Sequence, residues 1–207
     1  MKEKKFFCPI TATLNVIGGR WKVLILYNLQ DKIILINSRD YAAAQKFVPR
    51  RKRAFIHNGI NEANFLPRSN GRAFFTTSLG LPITDDTVFI GTIAELTANK
   101  GLHYLIDAVK LLSSDPNMPS IHLFIIGEGE ERPELEAKIK NLGLEHVIIL
   151  LGFNNDARSA IGGLDIFVLP SLKEGLPYAI MEAMTVGLPV IASNVGGIPD
   201  LVSHNEP

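Results

Sequence analysis

The chain reads as an α/β protein built on a Rossmann-like parallel sheet, and three observations carry that reading. From about Lys32 onward, short β-rich apolar runs alternate with segments of helical period, the pattern of strands joined by crossover helices. One run, Ile166-Phe-Val-Leu169 after Asp165, is wholly uncharged, as a strand covered on both faces must be. Several runs end in glycine or a turn, at Gly91, at Gly127 with Gly129 and at Gly152, and Gly196-Gly197 follows the last. Ligands of open α/β sheets sit at such carboxyl ends.

Taken in order, the expected strands are Ile33 to Ile36, Ala54 to His57, Thr87 to Ile90, Ile121 to Ile126, Val147 to Leu151, Ile166 to Leu169 and Pro189 to Ala192. Helices are expected at Gly101 to Leu112, Pro133 to Leu142, Asp156 to Ile161 and Pro177 to Val186. In the first of these, Leu102, Leu105, Ile106, Val109 and Leu112 form one apolar stripe. The first thirty residues differ. Cys8 to Gln30 is an amphipathic helical stretch with a break at Gly18-Gly19, and no strand alternation precedes Asp31-Lys32. The expected division is therefore a helical leader over residues 1–31 and a ligand-binding α/β domain over residues 32–207.

At 207 residues the chain can bury a substantial core. Lys plus Arg and Asp plus Glu both total 21, so the bulk charge gives no reason to expect nucleic acid or an anionic membrane as a partner. The single cysteine, Cys8, excludes an internal disulfide framework. No apolar run has the length of a membrane span, and the N-terminus lacks the order of a secretory signal. A cytoplasmic location is the expectation.

The segment Glu174-Gly-Leu-Pro-Tyr-Ala-Ile-Met-Glu182 is the most informative. Eight helical steps return to within about 80° of the starting direction, so both acids could face one cleft. Ser171 with Glu174 has the spacing of a capping box. That reading would bury Pro177 inside the helix, where its ring clashes. A helix opening near Leu176 puts Pro177 in the favoured first turn and leaves Glu174 and Gly175 in the loop, beside free amides that make an anion site.

Residues from about 32 to 207 resemble the C-terminal, donor-binding half of family 4 retaining glycosyltransferases, which have two Rossmann-like domains in the GT-B architecture. The resemblance rests on FIHNGI at 55–60, FIGTIAELTANKG at 89–101, FIIGEGEERPELE at 124–136, LLGF at 150–153, DIFVLPSLKEGLPYAIMEAMTVGLPVIAS at 165–193 and GGIPDLV at 196–202. It implies a nucleotide-diphosphate sugar as donor substrate, with no further cofactor and no metal. It implies that Glu174, the catalytic candidate, contacts hydroxyls of the donor sugar and that Glu182 contacts the ribose. Carboxylate oxygens suit such hydroxyl donors. Gly175 and Leu176 would offer backbone amides, Lys100 would meet the diphosphate, and Phe153 would lie near the base. Phe153 reads equally well as a core aromatic. Glu95 stands where many members carry an arginine, which weakens the expected phosphate affinity.

Other motifs carry plainer readings. Gly127-Glu128-Gly129 lacks the third glycine of a dinucleotide fingerprint, since Arg132 replaces it, and its acids would repel a pyrophosphate. Arg50-Arg51-Lys52-Arg53 reads as a solvated loop. Gly196-Gly197 before Ile198-Pro199-Asp200 reads either as a ligand contact or as a plain helix start. Asp85-Asp86 and the histidines His57, His103, His122, His146 and His204 lack metal-ligand spacing.

Residues 8–29, CPITATLNVIGGRWKVLILYNL, resemble the opening of HxlR-type winged-helix regulators, without the recognition helix and wing. A fusion near residues 30 to 32 would account for both resemblances. The expectation is a retaining glycosyltransferase fragment, truncated at its C-terminal end, that lacks the acceptor domain and turns over little alone. Its acceptor, a glycan, lipid or small molecule, is undetermined, and peripheral membrane association of a full-length enzyme is compatible with it. The alternatives are a DNA-binding regulator led by residues 8–29 and a non-catalytic α/β module.

Overall fold

The computed structural model describes residues 33–60, 64–79 and 86–203. The HxlR-like stretch, Cys8, Asp85 and His204 lie outside the described residues. The chain divides into two units between His57 and Asn58.

The described part of the first unit is a βαβ element. Strand β1 (Ile33–Leu35) runs parallel to β2 (Arg53–Phe55), with Ile33 opposite Arg53 and Leu35 opposite Phe55. Between them lies α1 (Ser38–Ala44), which the sequence reading omitted although its cap was legible. Asn37 Oδ1 accepts from the Asp40 amide at 2.8 Å, and Asn37 Nδ2 donates to the Asp40 carboxylate at 2.8 Å. The basic run is split. Arg50–Lys52 forms an exposed 3-10 turn, whereas Arg53 belongs to β2 and stacks its guanidinium 5.1 Å from the Tyr41 ring centroid.

The second unit carries a five-stranded sheet of β3 (Val88–Ile93), β4 (Ile121–Ile126), β5 (Ile148–Gly152), β6 (Ile166–Leu169) and β7 (Val190–Ala192). Its order is β5-β4-β3-β6-β7, with every pair parallel. The helices are α2 (Arg68–Leu79), α3 (Leu102–Ser113), α4 (Arg132–Asn141), α5 (Asn155–Ser159) and α6 (Tyr178–Thr185). Alternation along the strands divides the core between two faces. Phe89, Phe124 and Ile126 join Phe75 of α2, Ala157 of α5 and Ile180 of α6 on one face. Ile90, Leu123 and Ile125 join Leu102, Ile106 and Val109 of α3 and Leu135 and Ile139 of α4 on the other. This is the doubly covered parallel sheet that the fold reading required. The two strands of the first unit pair only with each other, as a separate sheet.

Two expectations are corrected. Gly91 does not end β3 but sits inside it, and the strand continues to Ile93. A Cβ on Gly91 would come within 2.2 Å of the Leu164 side chain, so the glycine serves close packing rather than a turn. Helix α2 is the second. Its segment is polar and holds Gly71, which obscured a helix whose buried anchor is Phe75. Gly71 is needed because a Cβ there would meet Ala160 O at 2.5 Å and Gly163 N at 2.7 Å.

At the amino ends of β3 and β6, Asp165 joins the two halves of the sheet. Its Oδ2 accepts from the Phe89 amide at 2.7 Å and from Arg72 at 2.5 Å, while Oδ1 accepts from Arg68. The Asp165 amide donates back to Phe89 O at 2.8 Å, and the Arg72 guanidinium lies 3.7 Å from the Phe89 ring centroid. Burial alone would raise the Asp165 pKa, but the Phe89 amide and the two guanidinium groups outweigh it and hold the carboxyl below its ordinary value. A carboxylate lowered in this way stabilises the fold above its unfolded-state pKa, and that contribution disappears as pH falls through the folded-state value. Asp165→Asn is expected to cost about 1.5–3 kcal/mol near neutral pH. Urea denaturation should show the difference between parent and variant shrinking as pH falls below about 4.

Candidate functional site

The sheet order contains one reversal. From β3 the chain steps outward through β4 to β5, then crosses back to β6 and continues to β7 on the other side. The helices that follow β3 and β6 pack on opposite faces, so the loops between the adjacent strands and these helices mark the switch point where such sheets usually form a ligand crevice. Lys100 and Gly101 end the loop after β3, and Ser171 to Pro177 form the loop after β6.

These loops are fastened by backbone contacts that leave no room for side chains. Leu172 donates its amide to Asn99 O at 2.7 Å. Gly101 has φ +63°, and a Cβ on it would lie 2.3 Å from Pro170 O. Gly196 has φ +55°, with Glu174 O only 1.9 Å from its would-be Cβ, and the Gly197 amide donates to Gly175 O at 2.7 Å. The glycine pair after β7 is thus a clamp on the β6 loop, followed by a 3-10 turn at Ile198–Asp200 rather than an α-helix.

The clamped loop presents Glu174 to a cation. Lys100 Nζ donates to Glu174 Oε1 at 2.5 Å, and Ser171 Oγ donates to the same oxygen at 2.7 Å. The Glu174 side chain is only 8% exposed, so this pairing offsets the desolvation of its charge. Ser171 and Glu174 are joined, as their spacing hinted, but through side chains. Helix α6 begins at Tyr178 with Pro177 as its N-cap, which leaves Glu174 in the loop. Among the described residues the amides of Gly175 and Leu176 donate to no backbone carbonyl, while the Leu176 carbonyl accepts from Asn58 Nδ2 at 3.3 Å.

Glu182 stands inside α6 and is held separately. Its side chain is 4% exposed, and Arg158 of α5 engages it with a fork, Nε to Oε2 at 3.0 Å and the terminal nitrogen to Oε1. Helical periodicity over residues 174–182 therefore does not describe how the two acids are arranged, since the first precedes the helix. Phe153, just past β5, is 79% exposed, which removes the core reading.

Gly127 and Gly129 have a structural role. Added Cβ atoms would meet Ala94 O at 1.9 Å and Leu96 O at 2.4 Å, so these glycines let the β4 loop lie on the β3 loop. Arg132 neutralises part of this acidic turn, 2.8 Å from both Glu128 and Glu136. Nearby, ligand atoms of His103, Glu131 and Glu134 fall within 4.8 Å of one another, a grouping that sequence spacing did not reveal. His103 lies in the first turn of α3, and the two acids lie at the start of α4. Helix N-termini favour anions over cations.

The family described as "Glycosyl transferases group 1" matches residues 79–207, more than half of the sequence. The chain belongs to the group 1 glycosyltransferases. A galactosyltransferase of Escherichia coli that acts on an α-D-GlcNAc-diphosphoundecaprenol is 30% identical over 189 residues, 89% of this chain and 48% of the relative. An O-antigen biosynthesis glycosyltransferase of E. coli, WclY, is 28% identical over 87% of this chain and 48% of its own length. Among solved structures, the Anabaena protein HepE in complex with UDP-glucose superposes with a TM-score of 0.69 at 27% identity, covering 84% of this chain and 48% of that one. The chain spans about half the length of these relatives.

The family 4 resemblance is thereby borne out, and the parallel sheet is the Rossmann-like half of a GT-B architecture. The structure brings Lys100 and Glu174 together, in the loops after β3 and β6, whereas Glu182 lies inside α6 and is paired with Arg158. Arg158 and Ser171 are partners that the site reading did not include. Ser171 had a signal in its spacing to Glu174; Arg158 had none. Among the described residues no helix is long and apolar enough to cross a membrane. Gly196→Ala is expected to destabilise the fold by about 1–3 kcal/mol, because a Cβ at positive φ would also strike the Glu174 carbonyl. Urea denaturation of the purified variant checks it.

Proposed function

We propose that this domain binds a nucleotide-diphosphate sugar for retaining transfer of the sugar to an acceptor. The observation that carries the reading is the Lys100–Glu174 pair, which joins the loops after β3 and β6 where the sheet order reverses. In this reading Lys100 swings its ammonium from Glu174 towards the diphosphate and stabilises charge on the leaving group. The amides of Gly175 and Leu176 add donors to the same phosphates or to the sugar. Glu174 accepts from the donor sugar's hydroxyls, and Glu182 accepts from the ribose hydroxyls. Phe153, exposed beyond β5, supplies a face for the base to stack on.

Uridine is the first base to test, because the Anabaena relative was solved with UDP-glucose. The E. coli galactosyltransferase is named for a lipid-diphosphate-linked acceptor, which supports a glycan or lipid acceptor here. A cytoplasmic setting fits such donors.

Isothermal titration with UDP-, GDP- and ADP-sugars tests the reading. One nucleotide sugar is expected to bind in preference to the others, and Glu182→Ala and Lys100→Ala are each expected to weaken it about tenfold or more. Equal affinities for parent and both variants would remove the site assignment.

A further inference from the structure

Among the described residues Arg158 is the cation paired with the Glu182 carboxylate, and it comes from a different helix. A carboxylate as deeply buried as Glu182 does not remain charged and oriented without a partner. The guanidinium fork supplies both requirements in one contact, because its two parallel donors fix the plane of the carboxylate as well as its charge. Each carboxylate oxygen carries two lone pairs, and the fork uses one on each. Among the described residues no other side chain donates to these oxygens, which leaves two adjacent acceptors that match two neighbouring hydroxyls.

We propose that Arg158 is the positioning residue through which this domain selects ribonucleotides over deoxyribonucleotides. The inference rests on the assignment of Glu182 to the ribose. Arg158 itself need not touch the nucleotide. Its fork takes one lone pair on each Glu182 oxygen and holds the carboxylate in one plane, so that the 2′- and 3′-hydroxyls both donate to it, and a nucleoside lacking the 2′-hydroxyl leaves one buried lone pair unmet. A site built around such an acceptor discriminates strongly against an analogue missing the hydroxyl. The half-exposed guanidinium, with 52% of its side chain accessible, keeps its own charge solvated while it does so.

Titration of the whole chain with UDP and with 2′-deoxyuridine diphosphate, at one salt concentration, separates the possibilities. The parent is expected to prefer UDP by about tenfold or more. Arg158→Ala is expected to weaken UDP binding and to bring that preference below about threefold, while Arg158→Lys, which restores charge without the fork, recovers part of it. Urea denaturation confirms that each variant is folded, and Arg158→Gln replaces Arg158→Ala if the latter is not. A folded Arg158 variant without the charge that keeps the full UDP preference, while Glu182→Ala loses it, overturns the role of Arg158 and leaves the Glu182 assignment standing. A preference that is absent in the parent, or unchanged in Glu182→Ala, overturns both.

Discussion

The arrangement of the two loops depends on β3 and β6 lying side by side, and Asp165 secures that adjacency from the amino ends of the two strands. These strands are distant in sequence, and their shared ladder is short, pairing Ile90 with Ile166 and Gly91 with Phe167. A ladder that brief does little by itself to fix the crossing between the two wings. The reciprocal bonds between Asp165 and Phe89 extend it by one step, and the guanidinium groups of Arg68 and Arg72 draw α2 into the same junction. Position at one end of two parallel strands sets position at the other. The separation of Lys100 from Glu174 is thus governed partly by an aspartate at the opposite edge.

Much of this arrangement was legible in the sequence, for identifiable reasons. Buried parallel strands demand apolar runs, and the runs at 121–126 and 166–169 met the expected bounds because nothing else competes for such residues. The opening of α6 was legible because Pro177 cannot sit in a helix interior. Helices α1 and α2 escaped because their stability comes from tertiary contacts and caps rather than from an apolar stripe. Gly91 misled because a glycine that admits a neighbour's side chain looks, in one dimension, like a glycine that turns the chain. Arg158 had no signal, since the fork to Glu182 spans two helices and 24 positions.

Both candidate acids are already paired with cations. In the function proposed above, a donor would not have to recruit charge from solution; it would exchange partners within a prearranged set, so less reorganisation would be needed at binding. The two pairs differ in kind. The Lys100 ammonium is a compact charge on a flexible stem, suited to moving between a carboxylate and a phosphate, whereas the Arg158 fork is planar and suited to staying in place. One pair is built for exchange and the other for constancy.

The glycine clamps at positions 101, 127, 129 and 196 press main chain directly against main chain. Because main chain rather than side chain fills most of those seams, the spacing of these loops depends little on the exposed residues they carry. Phe153 just past β5, Leu172 in the β6 loop and Tyr178 at the start of α6 are exposed and take no part in the core. Their identities can drift while the scaffold stays fixed, so a change of ligand preference here need not cost foldability. The seams are where this domain would be intolerant of mutation, and the exposed residues are where it would be free to evolve.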